Sequence, residues 1–165
     1  MKLRVLFLCA TNGLHSTIAE ALLTRIDSAN FEARSAGVRC GELHPLTIEV
    51  MKEVGIDLSQ RKPRSVQEFL DDSFDYVIAV GDCAGSDSTK FRQGEWLHWN
   101  FANPIEQSPD PERQIRAFRM IRDQIAQRLH LFVLVLAGPH AVRSAESMNQ
   151  AQDQGRRFSV ATTAQ

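Results

Sequence analysis

The hydrophobic pattern opens with a run of apolar residues from Leu3 to Leu8, interrupted only at Arg4 and ending on Cys9. Such a run predicts a strand buried on both faces. Further strand-like runs fall at 31–35, 76–80 and 96–99. Between them the period changes to that of a helix. Ile18, Leu22 and Ile26 recur at helical spacing within a segment predicted from about Thr17 to Ser28. Thr17-Ile-Ala-Glu20 has the form of a capping box at its start. A second helix is expected from Pro45 to Val54, with proline at its first position and Gly55 just past its end. A short one is expected over 65–70. A long one begins near Pro109-Asp110-Pro111 and carries Ile115, Phe118, Ile121, Ile125 and Leu129 on one stripe.

Short apolar strands alternating with helices predict an α/β fold: a three-layer sandwich with a central four-stranded parallel sheet and helices on both faces. In such sheets ligands bind beyond the C-terminal strand ends, at a topological switch point. Cys9 and the turns after Val80 and Trp99 are placed there. Gly138-Pro139 is expected to break the last helix, and the Ala, Ser, Gln and Thr that follow predict a flexible tail over 137–165 behind a domain of 1–136. The apolar stretch Leu131–Leu136 is read as a buried extension of the last helix, with a self-association surface as the alternative.

Composition narrows the function classes. With 43% apolar residues the chain can bury a core. Nineteen Lys and Arg against 20 Asp and Glu leave a net charge of -1, which argues against a nucleic-acid surface. No segment has the length of a membrane span or the form of a signal peptide. Cys9, Cys40 and Cys83 are too few and scattered for a disulfide framework or zinc site, which suits a reducing cytoplasm. No spacing of His, Cys and Asp implies a metal, and no cofactor is expected.

The chemistry concentrates in the segment after the first strand. Cys9 is followed by Ala10-Thr11-Asn12-Gly13-Leu14-His15-Ser16 and then a helix. Loop amides and a helix N-terminus together favour negative charge, both a thiolate and a bound oxyanion.

Val5-Leu-Phe-Leu-Cys9-Ala-Thr-Asn12-Gly-Leu-His15-Ser16 resembles the phosphate loop of low-molecular-weight protein tyrosine phosphatases and thioredoxin-coupled arsenate reductases. The resemblance extends over residues 2–135, through Ser35-Ala36-Gly37, His44-Pro45, Ile48–Ser59, Asp75–Val80, His98–Pro104 and Phe118–Ile125. The wording around His44-Pro45 and His98-Trp99 is closer to the arsenate reductase branch. The resemblance implies that Cys9 is the nucleophile, that Asn12 holds the loop's shape, that Ser16 stabilises the thiolate, and that the amides of residues 10–16 cradle an oxyanion.

Three positions depart from the family pattern. His15 stands where the family has arginine, so a permanent planar fork is replaced by a ring with an ordinary pKa of about 6.5, a candidate pH-dependent substitute. Asn103 stands at the position of the general acid, and an amide has no proton to give. Asp110 substitutes only if its loop folds back; as a helix N-terminal residue it has a simpler explanation. Gly81 and Ser88 occupy the places of the two resolving cysteines of the reductases, leaving Cys83 as a candidate lone resolving thiol or a buried incidental cysteine. Cys40 is read as incidental. His44 and His98 lie near element ends, Trp96 and Trp99 are core or pocket wall, and Arg113, Arg116, Arg119, Arg122 and Arg128 are expected on a solvated helix face from which one could reach the oxyanion.

Three functions follow. One is slow phosphomonoester hydrolysis through a cysteinyl-phosphate. Another is arsenate reduction with atypical thiols and a thioredoxin-type reductant. The third is a non-catalytic module that binds an oxyanion or a phosphorylated partner.

Overall fold

The structure, a computed structural model, describes the backbone of residues 1–39, 41–81, 94–105 and 109–159, with side chains described through 136. Cys40, Cys83 and Ser88 lie outside the described residues.

Four parallel strands form the sheet: β1 (Leu3–Cys9), β2 (Phe31–Gly37), β3 (Tyr76–Val80) and β4 (Glu95–Trp99), in the order β2-β1-β3-β4. β1 is central, which explains its unbroken apolar run: Val5 to Leu8 are at most 1% exposed. It pairs with β2 from Leu3↔Phe31 to Cys9↔Gly37 and with β3 from Val5↔Tyr76 to Leu8↔Ala79. The chain runs from β1 outward to β2 and later returns to the other side of β1, so the switch point lies between the C-terminal ends of β1 and β3. Cys9 and Gly81 mark those ends.

Helix α1 (His15–Asp27) packs across β1 and β2 and reaches β3; α2 is Pro45–Glu53, and α3 is Pro111–Ser159. A single turn of 3-10 helix over Val66–Phe69 packs with Phe74 and Val77 on the face of the sheet that carries Leu6 and Leu8. Phe118, Ile121, Ile125 and Leu129 of α3 are all buried, as their spacing predicts. The α/β architecture is therefore the expected one.

Local details differ. α1 begins two residues before the predicted start, with Leu14 at the cap position and no side-chain cap. Thr17 lies in the first turn and donates to the Asn12 carbonyl at 2.7 Å, so Thr17 and Glu20 form no capping box; that motif occurs instead at Ser65 and Glu68. The backbone of α3 stays helical through Gly138-Pro139, contrary to the expected break; the many good helix formers around one missing N–H carry it on. A compact unit ends at His130 and a second begins at Leu131. Leu131, Leu134 and Val135 are 60%, 73% and 70% exposed, so this stretch is not a buried extension of the core stripe. No described helix is long and apolar enough to cross a membrane.

Candidate active site: a polarised network behind Cys9

The segment after β2 continues to follow β1 into the loop. Val38 N–H donates to the Cys9 carbonyl at 3.0 Å and Arg39 N–H to that of Ala10 at 2.9 Å. His44 N–H and the Thr47 hydroxyl both donate to the Gly13 carbonyl at 3.1 Å. This close approach leaves no room for a side chain at Gly13, where a Cβ would lie 2.3 Å from the Glu42 carbonyl oxygen. Residues 10–14 are thus held between β1, the N-terminus of α1 and the 37–47 segment.

Cys9 is buried, and its Sγ lies 2.8 Å from Ser16 Oγ and 3.2 Å from the Asn12 amide nitrogen, which donates to it. Asn12 is fully buried and takes the left-handed conformation, φ 58°, that short polar side chains tolerate best after glycine. Its side chain fixes the direction of every proton nearby. The Oδ1 accepts Arg64 N–H at 2.8 Å, so Nδ2 must face the two serines, donating to Ser16 Oγ at 2.9 Å and Ser35 Oγ at 2.8 Å. Ser35 donates to Glu20, and Ser16 Oγ shares a hydrogen bond with Cys9 Sγ in which Ser16 is the donor to a thiolate. Ser16 Oγ and the Asn12 amide thus both lie within hydrogen-bond reach of the sulfur.

The far end of the network is an ion cluster. The buried Glu20 carboxylate pairs with Arg61 and with Arg64, the latter at 2.7 Å. Both guanidiniums are partly buried. Burial first, and the neighbouring Arg64 second, lowers the Arg61 pKa to about 10, still cationic at neutral pH.

His15 is turned toward the segment that follows β4. It is 8% exposed, its Nε2 lies 3.0 Å from the Ala102 carbonyl, and its ring faces that of Phe101 at 6.5 Å. The carbonyl requires Nε2 to be the donor, so Nδ1 carries no proton on the neutral ring. Burial pushes the His15 pKa below 6.5, with the Ala102 carbonyl opposing it. Gly81 makes room for this ring: its φ is 73°, and a Cβ there would lie 2.8 Å from His15 Nδ1. His15 thus joins the segments that follow β1, β3 and β4.

Asn103 follows Ala102 directly, and its Oδ1 accepts Ile105 N–H at 3.1 Å in a local turn. Asp110 stays at the start of α3, where its carbonyl accepts Gln114 N–H at 2.9 Å and its carboxylate lies 3.6 Å from Arg113. The α3 arginines are engaged elsewhere. Arg116 lies near Glu112, Arg119 pairs with Glu53, and Arg128 sits 5.5 Å above the Trp99 ring. Arg122 is buried rather than solvated, bonded to the Val50 carbonyl and Glu53. His44 caps α2, with Nδ1 accepting Leu46 N–H at 3.2 Å and its ring 4.8 Å from Phe118. Trp99 is buried against Phe7, Trp96 packs on the opposite face, and His98 is exposed.

The structure thus joins Cys9, Asn12 and Ser16 and sets His15 against Ala102. Ser35, Glu20, Arg61 and Arg64 were missed by the sequence reading. A glutamate among the buried positions of α1, with two arginines three apart downstream, is the signal that could have found the ion cluster.

Residues 4–144 match the model of the low molecular weight phosphotyrosine protein phosphatase family. The arsenate reductase of Halalkalibacterium halodurans is 29% identical over 133 residues, covering 78% of this chain and 93% of that protein. That of Shouchella clausii is 30% identical over 129 residues, with the same coverage of 78% and 93%. A solved arsenate reductase in a phosphate-binding state superposes with TM-score 0.70 at 28% identity, covering 82% of this chain and 99% of that one. YwlE arginine phosphatase from Geobacillus stearothermophilus shares the fold, with TM-score 0.66 at 22% identity over 84% of this chain and 96% of that one. With its cysteine loop, its parallel sheet and a match that runs over residues 4–144, the chain belongs to the low molecular weight phosphotyrosine protein phosphatase family.

Proposed function

We propose that this protein is a slow, cysteine-dependent phosphomonoesterase that binds the phosphate in the loop of residues 10–16. The observation that carries this is the convergence of Ser16 Oγ and Asn12 N–H on Cys9 Sγ. The thiolate attacks phosphorus opposite the ester oxygen. The S–P bond forms and the P–O bond breaks, and the leaving oxygen departs with its electron pair. Asn103 has no proton to give, so that oxygen is protonated by solvent, which restricts the reaction to good leaving groups. Water then attacks phosphorus, the S–P bond breaks, inorganic phosphate leaves and the Cys9 thiolate returns. Charge on the equatorial oxygens is met by the loop amides and the N-terminus of α1. The missing arginine costs on the order of a hundred- to a thousandfold in rate. A reducing cytoplasm, which keeps Cys9 out of disulfides, is the fitting compartment.

The second reading is arsenate reduction, favoured by the relatives that bear that name. It needs a second thiol to resolve oxidised Cys9 and a thioredoxin-type reductant. Gly81 weighs against it, because the His15 ring fills the space a cysteine side chain would need there. The Cys83 alternative lies outside the described residues.

Hydrolysis of p-nitrophenyl phosphate from pH 5 to 8, with Cys9→Ser as control, tests the proposal. Turnover lost in the variant supports it. Phosphate binding without turnover would replace it with a non-catalytic oxyanion module. Arsenate-dependent consumption of a dithiol, without ester hydrolysis, would replace it with the reductase.

A further inference from the structure

The Glu20 cluster lies at the far end of the hydrogen-bond network that begins at Cys9. It consists of one carboxylate and two guanidiniums, a formal surplus of one positive charge. Glu20 is linked to Cys9 Sγ through Ser35, Asn12 and Ser16, a path of four hydrogen bonds. Arg64 enters this path twice, through its side chain to Glu20 and through its backbone N–H to Asn12 Oδ1. The guanidinium of Arg64 also lies 5.3 Å from the Phe69 ring, which holds it on the sheet side. An ion cluster inserted into the network that orients the nucleophile's hydrogen-bond donors is more than a staple between loop and helix.

We propose that Glu20, Arg61 and Arg64 are positioning residues that set the charge state of Cys9, the two arginines supplying the fixed positive charge that position 15 lacks. This inference rests on Cys9 being the nucleophile. The charged and titratable groups around the path are Glu20 and His15 on α1, Arg61 and Arg64 between α2 and the 3-10 turn, and Glu68 beside Arg64. His15 is kept neutral by burial, which leaves the cluster as the fixed charge nearest the network among these groups. Each charge in it acts on the sulfur with its own sign. An unpaired Glu20 disfavours the thiolate, and unopposed arginines favour it.

The test is the pH profile of Cys9 alkylation by iodoacetamide, read on the Cys9 peptide by mass spectrometry. Arg61→Gln is expected to move the midpoint up by about half to one pH unit, and Glu20→Gln to move it down by a similar amount, for charges that act through a partly screened site. The double variant Glu20→Gln/Arg61→Gln removes one charge of each sign and keeps the surplus of one positive charge, now on Arg64 alone, so its midpoint returns toward that of the parent. Arg61→Lys keeps the charge and is expected to keep the profile. Loss of local structure alone would move Arg61→Gln and Glu20→Gln in the same direction and the double variant furthest, and that pattern overturns the inference. So does an unmoved midpoint in both single variants. If Arg61→Gln does not fold, Glu20→Gln and the double variant still carry the opposed prediction. Alkylation needs no turnover, so failure of the phosphomonoesterase proposal and failure of this one are read separately.

Discussion

Asn12→Asp exchanges one NH2 for an oxygen and leaves the size of a fully buried side chain unchanged. One carboxylate oxygen can still accept Arg64 N–H, as Oδ1 does now at 2.8 Å. The other replaces the group that donates to Ser16 and Ser35. Two hydroxyls that had an amide donor now face an acceptor, and both must turn their protons inward. Ser16 then no longer donates to Cys9 Sγ. A hydrogen bond to a charged group is lost, worth about 1.5–3 kcal/mol. The new negative charge lies two hydrogen bonds from the sulfur, within about 6 Å, and disfavours a second anion by about 3 kcal/mol at an effective dielectric of about 20. Both effects have the same sign. Protonation of the introduced carboxylate caps the penalty, since it restores one donor for two acceptors. The expected result is an upward move of one to two pH units, roughly, in the midpoint of Cys9 alkylation. At neutral pH that is roughly a tenfold to hundredfold slower reaction, with far-UV circular dichroism unchanged. An unmoved profile in a folded Asn12→Asp protein would falsify the proton directions assigned to Asn12, Ser16 and Ser35.

Other consequences are open to direct measurement. Because burial lowers the pKa of His15, the unfolded chain binds more protons there than the native one below about pH 6.5, so stability rises with pH through that window and falls on acidification. Urea midpoints at pH 5.5 and 7.5 should differ in that sense, and by less in His15→Gln; an equal difference in the variant would remove His15 as its source. Gly81→Ala adds a Cβ 2.8 Å from His15 Nδ1 at a left-handed position and is expected to cost about 2–4 kcal/mol in denaturant unfolding. The cost should shrink in a His15→Ala background, and strict additivity would contradict the packing of ring against glycine. Asn103→Asp restores an acidic proton, so hydrolysis of phenyl phosphate should rise about tenfold or more while that of p-nitrophenyl phosphate changes little. Equal gains on both esters would mean that position 103 does not act on the leaving group.

The legible parts of this chain were those governed by local pattern. An apolar run ending on Cys9 identified the central strand, because a strand covered on both faces is apolar on both. Pro45 and Gly55 bracketed α2 through the backbone angles each permits. Thr17 and Glu20 misled because a capping box and a buried network draw on the same residue types; the choice between them depends on Arg61 and Arg64, more than 40 positions away from Glu20. His15 was legible as a departure and not as a structural part, because its fit depends on the missing side chain at Gly81 and the carbonyl of Ala102. The Gly138-Pro139 pair was weighed by local propensity alone, which neighbouring helix formers override.

Acid-quenched mass spectrometry of the Cys9 peptide during p-nitrophenyl phosphate turnover tests the nucleophile most directly. A phosphate carried on Cys9, formed in a burst no larger than the enzyme concentration and absent from Cys9→Ser, is the predicted result. Turnover that persists in Cys9→Ser, with no phosphate on Cys9 in the parent protein, would contradict it.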